Sequence, residues 1–146
     1  MKGRPPAAVT AVTQQLQPDV YPKVDDEANV ILSYSTAVAI IQGSWNWPFD
    51  RKDMAIYGRT GYARTVLHNQ IEVRRSGERQ GRVIDATQLK APYDDPLHYL
   101  AAVIHGDISE DGDLSSLKTN VIVSEILDAA RTSAASGKRV TLPLND

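Results

Sequence analysis

Apolar and polar residues alternate through roughly the first two-thirds of the chain, and the period of two predicts strands. In "AVTAVTQQL" (8–16), Val12 and Leu16 fall on one face and Val9, Ala11 and Thr13 on the other. "EANVILSYS" (27–35) sets Val30, Leu32 and Tyr34 against Asn29, Ile31 and Ser33. Between these runs, "QPDVYPKVDD" (17–26) carries two prolines and three aspartates and reads as a loop. A short turn at Ser35–Ala37 leads into "VAIIQGSWNW" (38–47), and so brief a connection implies an antiparallel hairpin. "DMAIYG" and "YARTVLH" flank a second hairpin whose Gly61 can take a positive φ. "IEVRR" and "GRVIDA" flank a third, across 76–80.

The period then changes to that of a helix. "DDPLHYLAAVIHG" (94–106) has Asp95 as N-cap, Pro96 at the first helical position and Gly106 just past the end. Leu97, Leu100, Ala101 and Ile104 make one apolar stripe. A longer helix is expected from about Leu114 to Ser136, stopped by Gly137. Its apolar arc is Ile122, Val123, Ile126, Leu127, Ala129, Ala130 and Ala134. "KRVTLP" (138–143) is a last strand returning to the sheet. Strands followed by helices imply an α+β fold: an open-faced, mostly antiparallel sheet with helices packed on one face, in a single domain over 1–146. Thr, Gln, Asn and Ser mixed with Val, Ile and Trp on the other face suit contact with another protein.

Composition narrows the functional classes. The net charge of −2 provides no basic field for nucleic acid or an anionic membrane. Arg74–Arg75 and Lys138–Arg139 read as solvated element ends. With no cysteine there is no disulfide, thiolate metal site or cysteine nucleophile. No apolar run is long enough to span a bilayer, and no signal core is seen at the N-terminus, so a cytoplasmic domain is the expectation.

Catalytic motifs are missing. His98 and His105 lie seven apart on one helix, about 10 Å along the axis, which is too far to share a metal. His68 is isolated near a strand end. Glu110-Asp111-Gly112-Asp113 lacks the spacing of a calcium loop, and the nine glycines form no phosphate-binding pattern. The residues supply no complete catalytic constellation, and no metal or cofactor site is expected.

One stretch stands apart. "GSWNWPFDRKD" (43–53) concentrates Trp45 and Trp47 beside Arg51 and Lys52. On a strand the two indoles would share a face with Ala39 and Ile41. They could stack on a sugar ring, or fill a core or a subunit interface, where tryptophan is enriched. Pro48 should end the strand or leave it at an edge.

The order and length of these pieces resemble the C-terminal domain of the glucose–fructose oxidoreductase / inositol dehydrogenase / MocA family. The segments that carry the resemblance are 3–61, "DDPLHYLAAVIHGDI" and "DLSSLKTNVIVSEILDAARTSAASGKRVTL". It implies an NAD(P)-dependent sugar or polyol oxidoreductase in which a separate N-terminal Rossmann domain binds the cofactor. The sheet domain would then help to shape the substrate pocket and pair subunits through its open face. The family's glycine-rich cofactor loop, its Glu-Lys-Pro motif and its Asp…His helix are not in this sequence. No catalytic or cofactor-binding residue is therefore carried over. The resemblance raises Trp45, Trp47, Arg51 and Lys52 as substrate-pocket or interface residues. The expectation is a C-terminal domain that lacks its nucleotide-binding half, is inactive alone and forms a homo-oligomer. A stand-alone carbohydrate-binding module using Trp45 and Trp47, or a purely structural dimerisation domain, are the alternatives.

Overall fold

The computed structural model describes residues 4–67 and 69–144. The chain divides into two compact units, one running to Pro48 and resuming at Ser109, the other spanning Phe49–Ile108. The α+β class and its antiparallel strands are as the sequence implied, but the strands fall into two four-stranded sheets rather than one.

The first unit holds β1 (Ala8–Gln14), β2 (Glu27–Ser33), β3 (Val38–Ser44), α2 (Leu117–Ser136) and β8 (Val140–Thr141), with sheet order β3-β2-β1-β8. Register follows the hydrophobic alternation. Val9 pairs with Leu32 and Ala11 with Val30, so one face is continuous and apolar. Helix α2 packs on that face. Val9, Ala11, Leu32, Ala129, Ala130 and Leu142 form the core, with Val30, Tyr34 and Ile126 packed against it. Burying a valine or leucine contributes about 1.5–3 kcal/mol relative to leaving it exposed.

Small residues set how closely the helix approaches. Ala129, Ala130 and Ser133 face β1, and the last is wholly buried. Strand β8 is only two residues long and pairs with β1 at Ala8 and Val9. Ala11 lies two positions beyond Val9, so its N–H points to the same side of β1, where β8 no longer reaches. It donates instead to Ser133 Oγ at 2.9 Å. One helical turn later Gly137, at φ 66°, donates to the Ser133 carbonyl and ends the helix. The chain is thereby turned back to form β8.

The opposite face of this sheet is open. Its rows across β1, β2 and β3 are Thr10–Ile31–Ile40, Val12–Asn29–Gln42 and Gln14–Glu27–Ser44. Val12, Ile31, Val38 and Ile40 are exposed there. The mixed polar and apolar face expected from the alternation is present.

The second unit holds β4 (Ala55–Gly58), β5 (Gly61–Leu67), β6 (Gln70–Arg75), β7 (Arg82–Asp85) and α1 (Pro96–His105), with the strands as consecutive hairpins. Gly61 takes φ 154°, and a Cβ there would overlap the Arg74 carbonyl oxygen. Asp95 Oδ1 caps α1 by accepting from Leu97 and His98, and Gly106 closes it at φ 79°. Among the apolar stripe of α1, Leu97, Leu100 and Ile104 are exposed.

Two boundaries differ from expectation. Helix α2 starts at Leu117 rather than Leu114, because Asp113 accepts from the Ser115 N–H and Ser116 caps Thr119. Strand β3 stops at Ser44 rather than Trp47, because its partner β2 begins at Glu27, opposite Ser44. No helix among the described residues is long and apolar enough to cross a membrane.

Ser133→Ala should destabilise the protein by about 1–3 kcal/mol, the cost of stranding a buried backbone donor. Urea unfolding followed by circular dichroism measures it. Ser136→Ala, whose exposed hydroxyl donates to the Thr132 carbonyl and accepts a long 3.4 Å bond from the Lys138 N–H, should change stability by less than about 0.5 kcal/mol.

Candidate functional site

The first unit concentrates its unusual chemistry where the β1–β2 loop meets the end of β3. Asp26, the residue before β2, is buried. Its carboxylate accepts from the Leu16 N–H at 2.8 Å and the Gln17 N–H at 2.7 Å. The Asn46 amide donates to it at 3.2 Å, and the Asp26 carbonyl accepts from the Trp45 N–H at 2.9 Å. One aspartate thus fixes both ends of the 15–26 loop and the turn after β3. Burial works to raise its pKa, but the donors at Leu16, Asn46 and Gln17 outweigh it and hold the group below the ordinary aspartate value.

That scaffold brings two aromatic rings together. Tyr21, on the loop, and Trp45, on the turn, have centroids 5.0 Å apart at a tilt of 55°. Trp45 keeps 61% of its surface exposed. Glu27 lies beside them with a lowered pKa, chiefly through its hydrogen bond with Ser44 and against the opposing effect of burial, with Asn46, Gln42 and Asn29 assisting. Gln17 donates to Asn46 at 2.6 Å. An exposed indole edged by amides and a carboxylate can take the apolar face of a ring and bond its hydroxyls. These groups include no nucleophile–base pair.

The residues singled out in the sequence separate here. Trp45 is exposed against Tyr21, while Trp47 is half-buried in the chain beyond β3. With β3 ending at Ser44, neither indole belongs to a strand face, so the expected alignment with Ala39 and Ile41 does not arise. Arg51 and Lys52 belong to the second unit, and Arg51 forms an exposed ion pair with Asp53 at 2.7 Å. Sequence reasoning missed Tyr21, Asp26 and Asn46. Asp26 bonds residues nine and ten positions away, a pairing that no local motif announces.

The two described histidines, His98 and His105, form no site. His98 Nδ1 lies 3.1 Å from Asp94 Oδ1, which raises the His98 pKa by hydrogen bonding and charge and lowers that of Asp94. His105 is the last residue of α1, and His68 lies outside the described residues. Among the described residues no three His, Asp or Glu side chains are grouped to hold a metal ion.

Comparison with known proteins bears on this arrangement. Residues 1–64 match the family described as GFO/IDH/MocA C-terminal domain. That segment is under half of the chain, and over it the chain is similar to this family. The matched segment covers β1 to β3, the Tyr21–Trp45 pair and the start of the second sheet. Beyond residue 64 the likeness rests on fold. An oxidoreductase structure from Thermotoga maritima superposes with a TM-score of 0.75 at 17% identity, over 93% of this chain and 40% of that one. One from Agrobacterium radiobacter, solved with NAD+, L-tartaric acid and magnesium, gives 0.68 at 23%, over 94% and 43%. The WlbA dehydrogenase from Bordetella pertussis, with NADH and UDP-GlcNAcA, gives 0.65 at 22%, over 97% and 40%. The chain therefore spans about two-fifths of the length of the structures it matches. No curated protein matches the chain.

Asp26 carries a lowered pKa in the folded state, so its contribution is complete above the unfolded value and is lost as pH falls below about 4. Acid titration of tryptophan fluorescence should show that loss, and Asp26→Asn should flatten it while shifting Trp45 emission to the red. His98, raised instead, stabilises the helix start fully below about pH 6.5 and loses that effect as pH rises through its folded value. Titration by NMR should find His98 above the ordinary histidine value and returned toward it by Asp94→Asn.

Proposed function

We propose that this chain is the substrate-side and subunit-pairing domain of an NAD(P)-linked oxidoreductase acting on sugars or polyols, and that it has no dehydrogenase activity by itself. The family match over β1–β3 supports the reading, as does the likeness in fold to oxidoreductases solved with nicotinamide cofactors. The observation that carries it is the open face of the first sheet. Ile40, 73% exposed, stands in one row with Ile31 and Thr10, while the opposite face is sealed by α2. A sheet face of this composition is covered by a second copy of the chain, because removing its apolar surface from water is favourable at about 25 cal/mol per Å². Cofactor binding and proton transfer then belong to a nucleotide-binding partner domain, since no dinucleotide-binding loop is found in this sequence.

A second reading rests on Trp45 and Tyr21. Exposed Trp45, tilted against half-buried Tyr21 beside Asn46 and Glu27, has the composition of a sugar-stacking platform, which would serve in a substrate pocket or in a free-standing carbohydrate-binding module.

Sedimentation at micromolar concentration should find a dimer, and Ile40→Glu should convert it to a monomer with unchanged circular dichroism. Calorimetric titration with NADH should give no heat of binding. A monomeric wild-type chain, or tight NADH binding, would sink the reading.

A further inference from the structure

Each sheet ends in two edge strands, and three of the four are blunted. Strand β8 is two residues long, β4 has four, and β7 has four that include Arg82 and Asp85. Short or charged edges protect a sheet against pairing with another chain. Strand β3 has neither device. It runs for seven residues as VAIIQGS, without a charge, a proline or a shift in its register with β2. Its valine and isoleucines favour extended backbone.

Hydrogen bonding fixes which side of β3 is unused. The Tyr34 N–H donates to the Ala37 carbonyl and the Trp45 N–H to the Asp26 carbonyl, one bond at each end of the strand. Bonded positions alternate along an antiparallel pair, so Ala39, Ile41 and Gly43 turn their backbone groups toward β2. Val38, Ile40, Gln42 and Ser44 turn theirs away. Among the described residues no strand pairs with that side of β3.

These outward positions are symmetrical about Ile41. Two antiparallel copies of β3 that meet with Ile41 opposite Ile41 set Ile40 against Gln42 and Val38 against Ser44. Every outward N–H and C=O then meets a partner, and no charged side chain lies in the contact. A shift by one residue would set outward groups against inward ones, and a shift by two would leave groups unpaired at each end. Ile41 is 50% exposed, so it can meet its copy without leaving the core. Gly43, which would face Ala39, borders open space, because a Cβ there would touch nothing.

We propose that β3 pairs with β3 of a second copy of this chain, antiparallel about a two-fold axis at Ile41, so that the two sheets join edge to edge. A second copy supplies the matching length and register by symmetry alone. The contact is also closed, because β8, at the far edge of the same sheet, is too short to add a third copy. It uses backbone at the sheet edge and is separate from the open-face pairing proposed above, with which it would join dimers in pairs.

The chain has no cysteine, so a single introduced thiol reports the contact. Ile41→Cys in the full chain, held in a mixture of oxidised and reduced glutathione, should give a disulfide-linked dimer on a non-reducing gel. In this register the two positions form a non-hydrogen-bonded pair with Cα atoms about 4.5 Å apart, within reach of a disulfide. Ala39→Cys lies on the same face but about 14 Å from its copy, and should not cross-link. Ser35→Cys, exposed in the turn before β3, controls for random collision and should not cross-link either. Gln42→Pro added to Ile41→Cys should abolish the cross-link with unchanged circular dichroism, because the Gln42 N–H faces away from β2. Ile31→Glu, which puts a charge on the open face instead, should leave the cross-link in place, so this contact and open-face pairing fail independently. The Ala39 and Ser35 comparisons decide the matter even if Gln42→Pro does not fold. No dimer from Ile41→Cys, equal cross-linking at position 39 or 35, its loss in Ile31→Glu, or its persistence in a folded Gln42→Pro chain would overturn the assignment.

Discussion

A single hydrogen bond from the Ala11 N–H to Ser133 Oγ shows what the first unit depends on. Strand β1 is central, flanked by β2 along its whole length and by β8 for only two residues. Past Val9 the β8 side of β1 would hold a buried donor without a partner, and such a group costs about 1–3 kcal/mol. Only a helix lying very close to the sheet can fill that gap. Ala129 and Ala130 allow the approach, and Ser133 supplies the acceptor. The same turn of helix ends at Gly137 and returns the chain as β8. Core, helix stop and last strand therefore share one requirement.

Two carboxylates organise what the helix does not reach. Asp26 gathers the backbone of Leu16 and Gln17 and the side chain of Asn46, and so presents Tyr21 to Trp45. Glu72 does comparable work in the second unit, holding the Tyr62 hydroxyl and the Arg64 guanidinium. In both places an acid is kept ionised by donors arranged around it. Each is enclosed by structure rather than offered to a substrate. Both position aromatic rings beside polar groups.

This division agrees with a domain that accounts for about two-fifths of the oxidoreductase structures it resembles. One face of the first sheet is closed by α2, the other displays Ile31, Ile40 and Val12, and the rings at Tyr21 and Trp45 stand at the end of β3. The packed face, the open face and the aromatic pair thus occupy different surfaces of one small sheet.

Much of this architecture is local and so could be read from the chain. Alternation separated Val9 and Ala11 from Val12, and Leu32 from Ile31, as the structure does, and the caps Asp95, Gly106 and Gly137 lie where the helix ends were expected, because a cap depends on residues within a turn. The division of strands into two sheets, the early end of β3 and the roles of Asp26, Tyr21 and Asn46 were decided by tertiary structure alone. They follow from contacts between residues tens of positions apart: Asn46 reaches Asp26, and Ala11 reaches Ser133. A period of two reports which face a residue is on. It does not report which strand lies alongside, or which distant donor a buried carboxylate will meet.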